Sequence, residues 1–262
     1  MTLRATFIGQ STVLLAGSRG AVVIDPYLFD SCAERHGEHL RRLRPPGLAP
    51  GDFPRIDAVL ITHEHDDHAD PASIGALVAR FPGIPVIGPA PAVDAVEVTG
   101  AKTRALAPRE GWIELAPGIR AIATPAAHPE RELLPEGGDR WCGYVVEIDG
   151  VRAWHSGDTR AYDDASAAVR DAGGASVAFL PVNERNPLRE RMGIVGNMSP
   201  REAFGLADDA GVPAVVPVHW DLFRCNGASR AEVESAHAAC GCRASLRWME
   251  PGQSLGFKEV VP

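Results

Sequence analysis

Hydrophobic residues in this chain cluster into short continuous runs, and glycine, proline and charged residues separate the runs. Short apolar runs bounded by such breakers are typical of strands that are buried on both faces. They predict strands over residues 3–8, 12–16, 21–25, 56–61, 84–87, 111–115, 119–124, 143–148, 151–154, 176–180, 214–218 and 244–249. Some of these strands are spaced for hairpins, whereas others are far enough apart to need crossover connections.

Longer stretches of mixed polarity lie between the predicted strands, and we interpret them as helices. They cover residues 31–44, 71–80, 161–172 and 228–240, and a further helix begins with the capping box Ser199-Pro200-Arg201-Glu202. Strands of both connection types with helices between them indicate a layered α/β sandwich. We expect residues 1–262 to form a single domain, with an insertion between core strands at about residues 27–53, where prolines and glycines are frequent.

Composition and charge narrow the class of protein. The formal net charge of −8 and the lack of a basic and aromatic stripe argue against a nucleic-acid partner. The chain starts without an apolar signal segment and holds no apolar run long enough to cross a membrane. The five cysteines form no even framework, so we expect free thiols in a cytoplasmic protein. Cys240-Gly241-Cys242 is interpreted as small residues near a turn, with a partial metal site as the alternative.

Candidate chemistry is concentrated directly after the predicted strand 56–61, in the segment His63-Glu64-His65-Asp66-Asp67-His68. Imidazole and carboxylate are ligands that borderline divalent metals favour. His63 and His65 are two residues apart, so an extended turn can direct both rings at one ion. Asp67 and His68 can face a second ion as the chain enters the next helix. Glu64 and Asp66 would then point away or hold the ligating rings in place.

The pattern His63-x-His65-x-Asp67-His68 is the signature of the metallo-β-lactamase superfamily, which this chain resembles. The resemblance implies a four-layer αββα sandwich with two divalent ions held by loops at strand ends. It also implies three further ligands after later strands, namely His128, Asp158 in the segment Ser156-Gly157-Asp158-Thr159, and His219. By this resemblance His63, His65 and His128 hold one ion; Asp67, His68 and His219 hold the other; and Asp158 bridges them.

Paired ions of this kind imply a hydrolase that uses a metal-held hydroxide. We expect Asp67 to orient the hydroxide, and a metal-bound water, His155 or His219 to protonate the leaving group. Alternatively, His155 has a structural role at the end of a strand, and hydrogen bonds within the fold satisfy its ring nitrogens. His36, His39 and His237 are interpreted as surface residues. The ligand types suit zinc, manganese or iron.

The second half of the chain resembles the L-ascorbate-6-phosphate lactonase branch of that superfamily. The segments that carry this resemblance are Leu180-Pro181-Val182-Asn183-Glu184-Arg185, Gly196-Asn197-Met198 and Pro217-Val218-His219-Trp220-Asp221-Leu222-Phe223. Glu184 replaces a glycine of the branch pattern and Trp220 replaces a tyrosine. The resemblance implies a lactone or related ester of a small anionic, sugar-like molecule as substrate, and it suggests a homo-oligomer.

Three residues of these segments are candidates for substrate binding: Asn183, Arg185 and Asn197. A guanidinium can pair with two substrate oxygens, although Arg185 can equally tie its loop to a surface carboxylate. Asn197 can instead serve the turn before the next helix. Arg41, Arg42 and Arg44 are interpreted as a solvated helix face. Two other functions remain open: phosphodiester hydrolysis, which paired metals also support, and a metal-stabilised binding protein without turnover.

Overall fold

The computed structural model describes residues 2–106 and 110–259, and within them fourteen strands form two mixed sheets. In chain order the strands are β1 (Thr2–Gly9), β2 (Thr12–Ala16), β3 (Ala21–Ile24), β4 (Ala58–Leu60), β5 (Pro85–Gly88), β6 (Lys102–Ala105), β7 (Ile113–Ala116), β8 (Ile119–Pro125), β9 (Cys142–Ile148), β10 (Val151–His155), β11 (Val177–Pro181), β12 (Ala214–Val218), β13 (Ser245–Leu246) and β14 (Ser254–Lys258). The first sheet has the order β14-β1-β2-β3-β4-β5-β6, and the second has the order β13-β12-β11-β10-β9-β8-β7.

Helices connect and cover these sheets. They are α1 (Ser31–His36), α2 (Pro71–Arg80), α3 (Ala90–Val96), α4 (Asp163–Asp171), α5 (Pro187–Arg191), α6 (Pro200–Asp209) and α7 (Arg230–Cys240), with 3-10 turns at Glu38–Leu40, Pro50–Asp52 and Glu97–Thr99. None of the helices in the described part of the chain has both the length and the apolar character needed to span a membrane.

Alternation along the strands explains the layers. Side chains of successive strand residues point to opposite faces of a sheet. In β2, Val13 and Leu15 therefore pack into the core between the two sheets, which also holds Tyr144 of β9. Leu14 points the other way, into a second cluster with Leu77 of α2. Helices α4, α6 and α7 cover the outer face of the second sheet, so the predicted α/β sandwich of four layers is confirmed.

Several predicted elements differ from those observed. The helix expected over residues 31–44 ends at His36, because Gly37 adopts φ 104° and ψ 172°, a conformation that no helix contains. The strand expected over residues 244–249 is reduced to β13. Four short elements were not predicted: α3, β6, α5 and β14. Strand β6 lies at a sheet edge and is mostly exposed, so it lacks the apolar run that marks the other strands.

Strand direction places the predicted functional loops together. Strands β3 and β4 are parallel, and so are β10, β11 and β12. Because the carboxyl ends of parallel strands share one edge of a sheet, the loops after β3 and β4 lie side by side. The loops after β10 and β12 meet in the same way, and β8 runs in the same direction as β10 through its antiparallel partner β9. Chemistry is therefore expected at these ends.

Candidate metal centre

The histidine-rich segment forms a tight turn between β4 and α2. The backbone N–H groups of His68 and Ala69 both donate to the carbonyl of His65, at 2.9 and 2.8 Å. Asp70 then caps α2 by accepting hydrogen bonds from two backbone N–H groups of its first turn, and Pro71 occupies the first helical position. These local bonds turn His63, His65, Asp67 and His68 toward the edge where the two sheets meet.

The first group of potential ligands is His63, His65 and His128, whose ligand atoms all lie within 4.8 Å of one another. The Nε2 atom of His63 is 3.0 Å from Nδ1 of His65. The other ring nitrogen of His63 lies 3.0 Å from the hydroxyl of Thr62, which orients the ring. His128 arrives from the loop after β8 and is 2% exposed.

The second group is Asp67, His68 and His219, which meets the same 4.8 Å limit. Oδ2 of Asp67 lies 3.3 Å from Nε2 of His219 and 3.6 Å from Nε2 of His68. His219 follows β12 and has φ 60°, a left-handed backbone conformation that is uncommon outside glycine.

Asp158 stands between the two groups. Its Oδ2 atom lies 3.8 Å from Nε2 of His128 and 3.3 Å from Nε2 of His219, and its Oδ1 atom lies 3.5 Å from Nε2 of His68. The structure therefore brings together all seven residues that the sequence suggested as ligands, in the two groupings and with the central carboxylate that the resemblance implies.

These residues fit a divalent metal centre. Nε2 of His68 and Oδ1 of Asp158 are buried, and neither has a hydrogen-bond partner among the described residues. Buried polar atoms are normally satisfied, so two orphaned atoms 3.5 Å apart on metal-ligand side chains point to a cation between them. Imidazole nitrogens and carboxylate oxygens are the ligand atoms that zinc, manganese and iron share.

The electrostatics agree with a cation site. Burial holds the pKa of His63 well below its ordinary value and lowers the pKa of His128 to about 4, so both rings are neutral ligands. Burial acts against charge at His219 too, but Asp158 and Asp67 raise the pKa of His219 to about 9. A divalent cation bound here takes the place of such protons.

Two side chains outside the predicted set hold these ligands in place. Asp25 accepts a hydrogen bond from Nδ1 of His68 at 2.7 Å and two more from the backbone and hydroxyl of Thr62. Gln10 donates through Nε2 to Oδ2 of Asp67 at 2.7 Å, and the same nitrogen is 2.9 Å from Nε2 of His219. Asp25 directly follows β3, on the side of the sheet that carries the ligands, and this position could be read from the sequence. The turn that holds Gln10 offered none.

An open cleft of about 720 Å³ leads to the centre. Arg35 and His36 of α1 and His39 of the following 3-10 turn contribute a polar, partly cationic wall. Arg35 and His36 also hydrogen-bond to the carboxylate of Asp66. His36 and His39 are exposed, as expected of surface residues, and both also line the cleft.

Apolar side chains also line the cleft. They are Met192, Ile194 and Val195 from the segment after α5, and Phe223, which packs with Cys32 of α1 and with Leu40. Asn226 lines the cleft as well and is 7% exposed.

His155 is not available as a proton donor, which corrects its assignment as a catalytic candidate. The residue is fully buried at the end of β10. Its Nε2 atom bonds to the carbonyl of Ser11 at 2.8 Å, and its Nδ1 atom accepts from the backbone N–H of Gly157 at 3.1 Å. Both ring nitrogens are occupied by backbone partners, so this histidine is satisfied by the fold.

The three predicted substrate-binding residues do not reach the cleft. Asn183 and Asn197 are fully buried and hydrogen-bond to each other at 3.0 Å. Arg185 lies 3.7 Å from Glu202 of α6, so it ties its loop to a carboxylate. The prediction that these three residues contact the substrate directly is therefore corrected, because none of them lines the cleft.

The cysteine prediction also needs a correction. Cys240 and Cys242 are joined by a disulfide at the end of α7, whereas Cys32, Cys142 and Cys225 are free thiols. Neither Cys240 nor Cys242 belongs to a group of potential metal ligands among the described residues.

Comparisons with known proteins agree with this fold. A family profile described as a beta-lactamase superfamily domain matches residues 22–220. A UPF0173 metal-dependent hydrolase of Methanoculleus marisnigri is 31% identical over 271 residues, which covers 99% of this chain and 98% of that protein. An uncharacterized protein of Mycobacterium bovis is 28% identical over 85% of this chain, and the match spans 59% of the relative's length. The crystal structure of a possible metal-dependent hydrolase from Veillonella parvula has the same fold, with a TM-score of 0.77, 20% identity and coverage of 97% of this chain and 99% of that one.

Proposed function

This chain belongs to the metallo-β-lactamase superfamily of metal-dependent hydrolases, and from that membership we propose that it hydrolyses a lactone or related ester of a small anionic, sugar-like molecule with two divalent ions. The potential ligands form three overlapping groups, one of which joins His63, His68 and Asp158. The observation that carries the proposal is that the other two groups share no residue and that Asp158 lies between them. A single ion would need only one such group. A dinuclear centre uses both and explains why one carboxylate lies between them.

The bound ions would supply a nucleophile from water at neutral pH and polarise the carbonyl oxygen of the substrate. The protein's own residues supply orientation. Asp67, held by the amide of Gln10, presents a carboxylate beside the centre that can accept a hydrogen bond from the attacking water. Asp25 holds the imidazole of His68 by its far nitrogen, so that Nε2 faces the centre.

The cleft supports a small substrate with both polar and apolar parts. Its volume of about 720 Å³ lies within the range of small-molecule sites. Histidines and Arg35 on one wall can meet anionic oxygens, although Asp66 already offsets part of their charge. The resemblance of the segments near Asn183 and His219 to ascorbate-6-phosphate lactonases adds the lactone and the sugar-like character.

A substrate panel tests this function. The purified protein, loaded separately with manganese, zinc or iron, is assayed with glucono-1,5-lactone 6-phosphate, with the lactone without phosphate, and with bis-p-nitrophenyl phosphate. We expect turnover of the lactones and a preference for the phosphorylated one. If only the phosphodiester is hydrolysed, the lactonase proposal is wrong and the protein is a phosphodiesterase. If the protein binds metal tightly but hydrolyses none of the probes, it is a metal-stabilised binding protein.

The bridging role of Asp158 has its own test. Replacing Asp158→Ala removes the carboxylate that touches both groups, so we expect metal content to fall and hydrolysis to drop by at least about a hundredfold. Asp164→Ala is the matched control, since Asp164 is exposed and its ion-pair partner among the described residues is Arg131. Elemental analysis and steady-state assays give the result. An unchanged metal content in the Asp158 variant would contradict the bridging assignment.

A further inference from the structure

Three asparagines form a chain of hydrogen bonds that runs in one direction toward the cleft. Nδ2 of Asn197 donates to Oδ1 of Asn183 at 3.0 Å, and Nδ2 of Asn183 donates to Oδ1 of Asn226 at 2.9 Å. Asn183 and Asn197 are fully buried behind the wall, and only Asn226 lines the cleft, together with His219 and Asp158.

The direction of this chain determines which end of the Asn226 amide remains for a ligand. Its oxygen is occupied by Asn183, whereas its Nδ2 atom has no hydrogen-bond partner among the described residues. An amide nitrogen can only donate. The two N–H bonds of the Asn226 side-chain amide are therefore available beside the metal centre, and the hydrogen bond from Asn183 fixes their orientation.

The free-energy cost of burying these amides indicates that they do more than fill the core. Burying amides is unfavourable unless their hydrogen bonds are made. Yet Oδ1 of Asn197 is buried without a partner in the described chain. The backbone N–H of Asn226 also bonds to the carbonyl of Phe223 at 3.0 Å, so the residue is anchored on two sides. Rigid placement of a donor is useful where a ligand must be held in one orientation.

We propose that Nδ2 of Asn226 donates a hydrogen bond to an acceptor oxygen of the substrate, and that Asn183 and Asn197 are positioning residues that orient this amide. The identity of the substrate rests on the proposed function, but the role of Asn226 does not. A ligand that lacks an acceptor oxygen at this point would leave the amide unpaired in a nearly buried position. Such a ligand should bind more weakly, because leaving a buried donor without a partner costs more free energy than a typical hydrogen bond contributes.

Two variants test the donor. Asn226→Asp has the same shape but replaces the donor by an acceptor, and Asn226→Ala removes it. The metal-loaded enzyme is assayed with glucono-1,5-lactone 6-phosphate, and binding of its hydrolysis product, 6-phosphogluconate, is measured by calorimetry. We expect KM and Kd to rise about tenfold for alanine and more for aspartate, because hydrogen bonds to anionic oxygens are strong. Metal content should stay unchanged in both variants. The midpoint of thermal unfolding should fall in the alanine variant, which leaves Nδ2 of Asn183 without its acceptor, and change little in the aspartate variant, which keeps an acceptor oxygen.

Asn186→Asp is the matched control. Asn186 caps α5 and does not line the cleft, and aspartate caps a helix as well as asparagine does. The control introduces the same negative charge in the same part of the chain, so KM and Kd should remain at the wild-type values. An equal loss in the control would mean that charge alone causes the effect, and this would overturn the role of Asn226.

The positioning role is tested by Asn183→Asp. A carboxylate in place of the Asn183 amide cannot donate to Oδ1 of Asn226, so the Asn226 amide should rotate and lose its orientation. We expect a rise in KM that disappears in the Asn226→Ala background, because coupled residues are not additive. Independent, additive losses would contradict the relay.

The outcomes separate this inference from the proposed function. If neither lactone is hydrolysed but 6-phosphogluconate binds and the Asn226 variants weaken it, the lactonase proposal fails and the inference stands. If the Kd of 6-phosphogluconate is unchanged in both Asn226 variants, the inference fails whatever the enzyme hydrolyses.

Discussion

Backbone strain in this protein is concentrated at single residues of the metal centre. Among the described residues, four residues other than glycine have positive φ: Gln10 at 56°, Asp25 at 47°, Asp149 at 55° and His219 at 60°. Asp149 sits in the turn between β9 and β10. The other three are a candidate ligand and the two side chains that hold ligands. Such conformations cost on the order of 1 kcal/mol or more each, and they persist where the surroundings demand them.

Asp25 is the residue whose loss should reveal how much the supporting side chains contribute. We predict that Asp25→Asn weakens metal binding by about 10–100-fold. An amide facing His68 offers a donor where the imidazole needs an acceptor, so the ring is driven to the tautomer with its hydrogen on Nε2. That nitrogen can then no longer bind a metal. Competition with a fluorescent chelator measures the affinity.

Asp57→Asn provides the comparison for this prediction. Asp57 accepts from the backbone N–H of Ala21 at 2.9 Å and pairs with Arg55, away from the metal centre. Its replacement should lower stability without changing the metal affinity. A similar loss of affinity in both variants would mean that Asp25 acts through general stability.

At the scale of elements, helix α1 and the turn that follows it bring three cleft residues to one wall. Arg35 and His36 lie at the end of α1, and His39 lies in the 3-10 turn. Gly37 separates the two elements with φ 104° and ψ 172°. This region of backbone space is accessible to glycine and strained for other residues.

We predict that Gly37→Ala lowers the free energy of unfolding by about 1–3 kcal/mol. A Cβ atom at this position would approach the ring of His39 no closer than 3.6 Å, so the cost comes from the backbone rather than from a clash. Gly51→Ala is the control, because a Cβ there meets nothing within 4 Å and the residue has no positive φ. Urea denaturation of both variants measures the difference, and equal stability of the two would contradict the strain.

At the scale of the whole molecule, the metal centre joins the two sheets. Its residues come from loops after β4 of the first sheet and after β8, β10 and β12 of the second. A cation bound between them should therefore stabilise the folded chain by mass action, since the unfolded chain has no such cluster.

We predict that removal of metal by EDTA lowers the midpoint of thermal unfolding by about 5–10 °C, from a stabilisation of about 3 kcal/mol in a chain of this size. Scanning calorimetry of native, chelated and reloaded protein checks the value. The Asp158→Ala variant should show a much smaller response to EDTA. A midpoint that does not change on chelation would mean that the centre does not hold metal in the native protein.

Local patterns predicted much of the fold, because most strands are short apolar runs and their burial on both faces leaves a direct trace in the sequence. Helix α2 was expected over the range in which it forms, and α6 begins at Pro200 with Ser199 as its N-cap, as the capping box predicted. Elements that depend on contacts with residues distant in sequence show no such apolar run. Strand β14 pairs with β1 across the whole length of the chain, and β6 is a polar edge strand.

The sequence by itself determined the ligand types at the centre, because imidazoles and carboxylates clustered after a buried strand have few other uses. Only the tertiary structure decided which side chains support those ligands and which ones reach the cleft. Gln10, Asp25 and Asn226 are close to the centre because distant loops meet there, whereas His155, Asn183 and Asn197 are hidden by the same packing. Exposure and hydrogen-bond partners depend on contacts between segments far apart in the chain, and no local pattern encodes them.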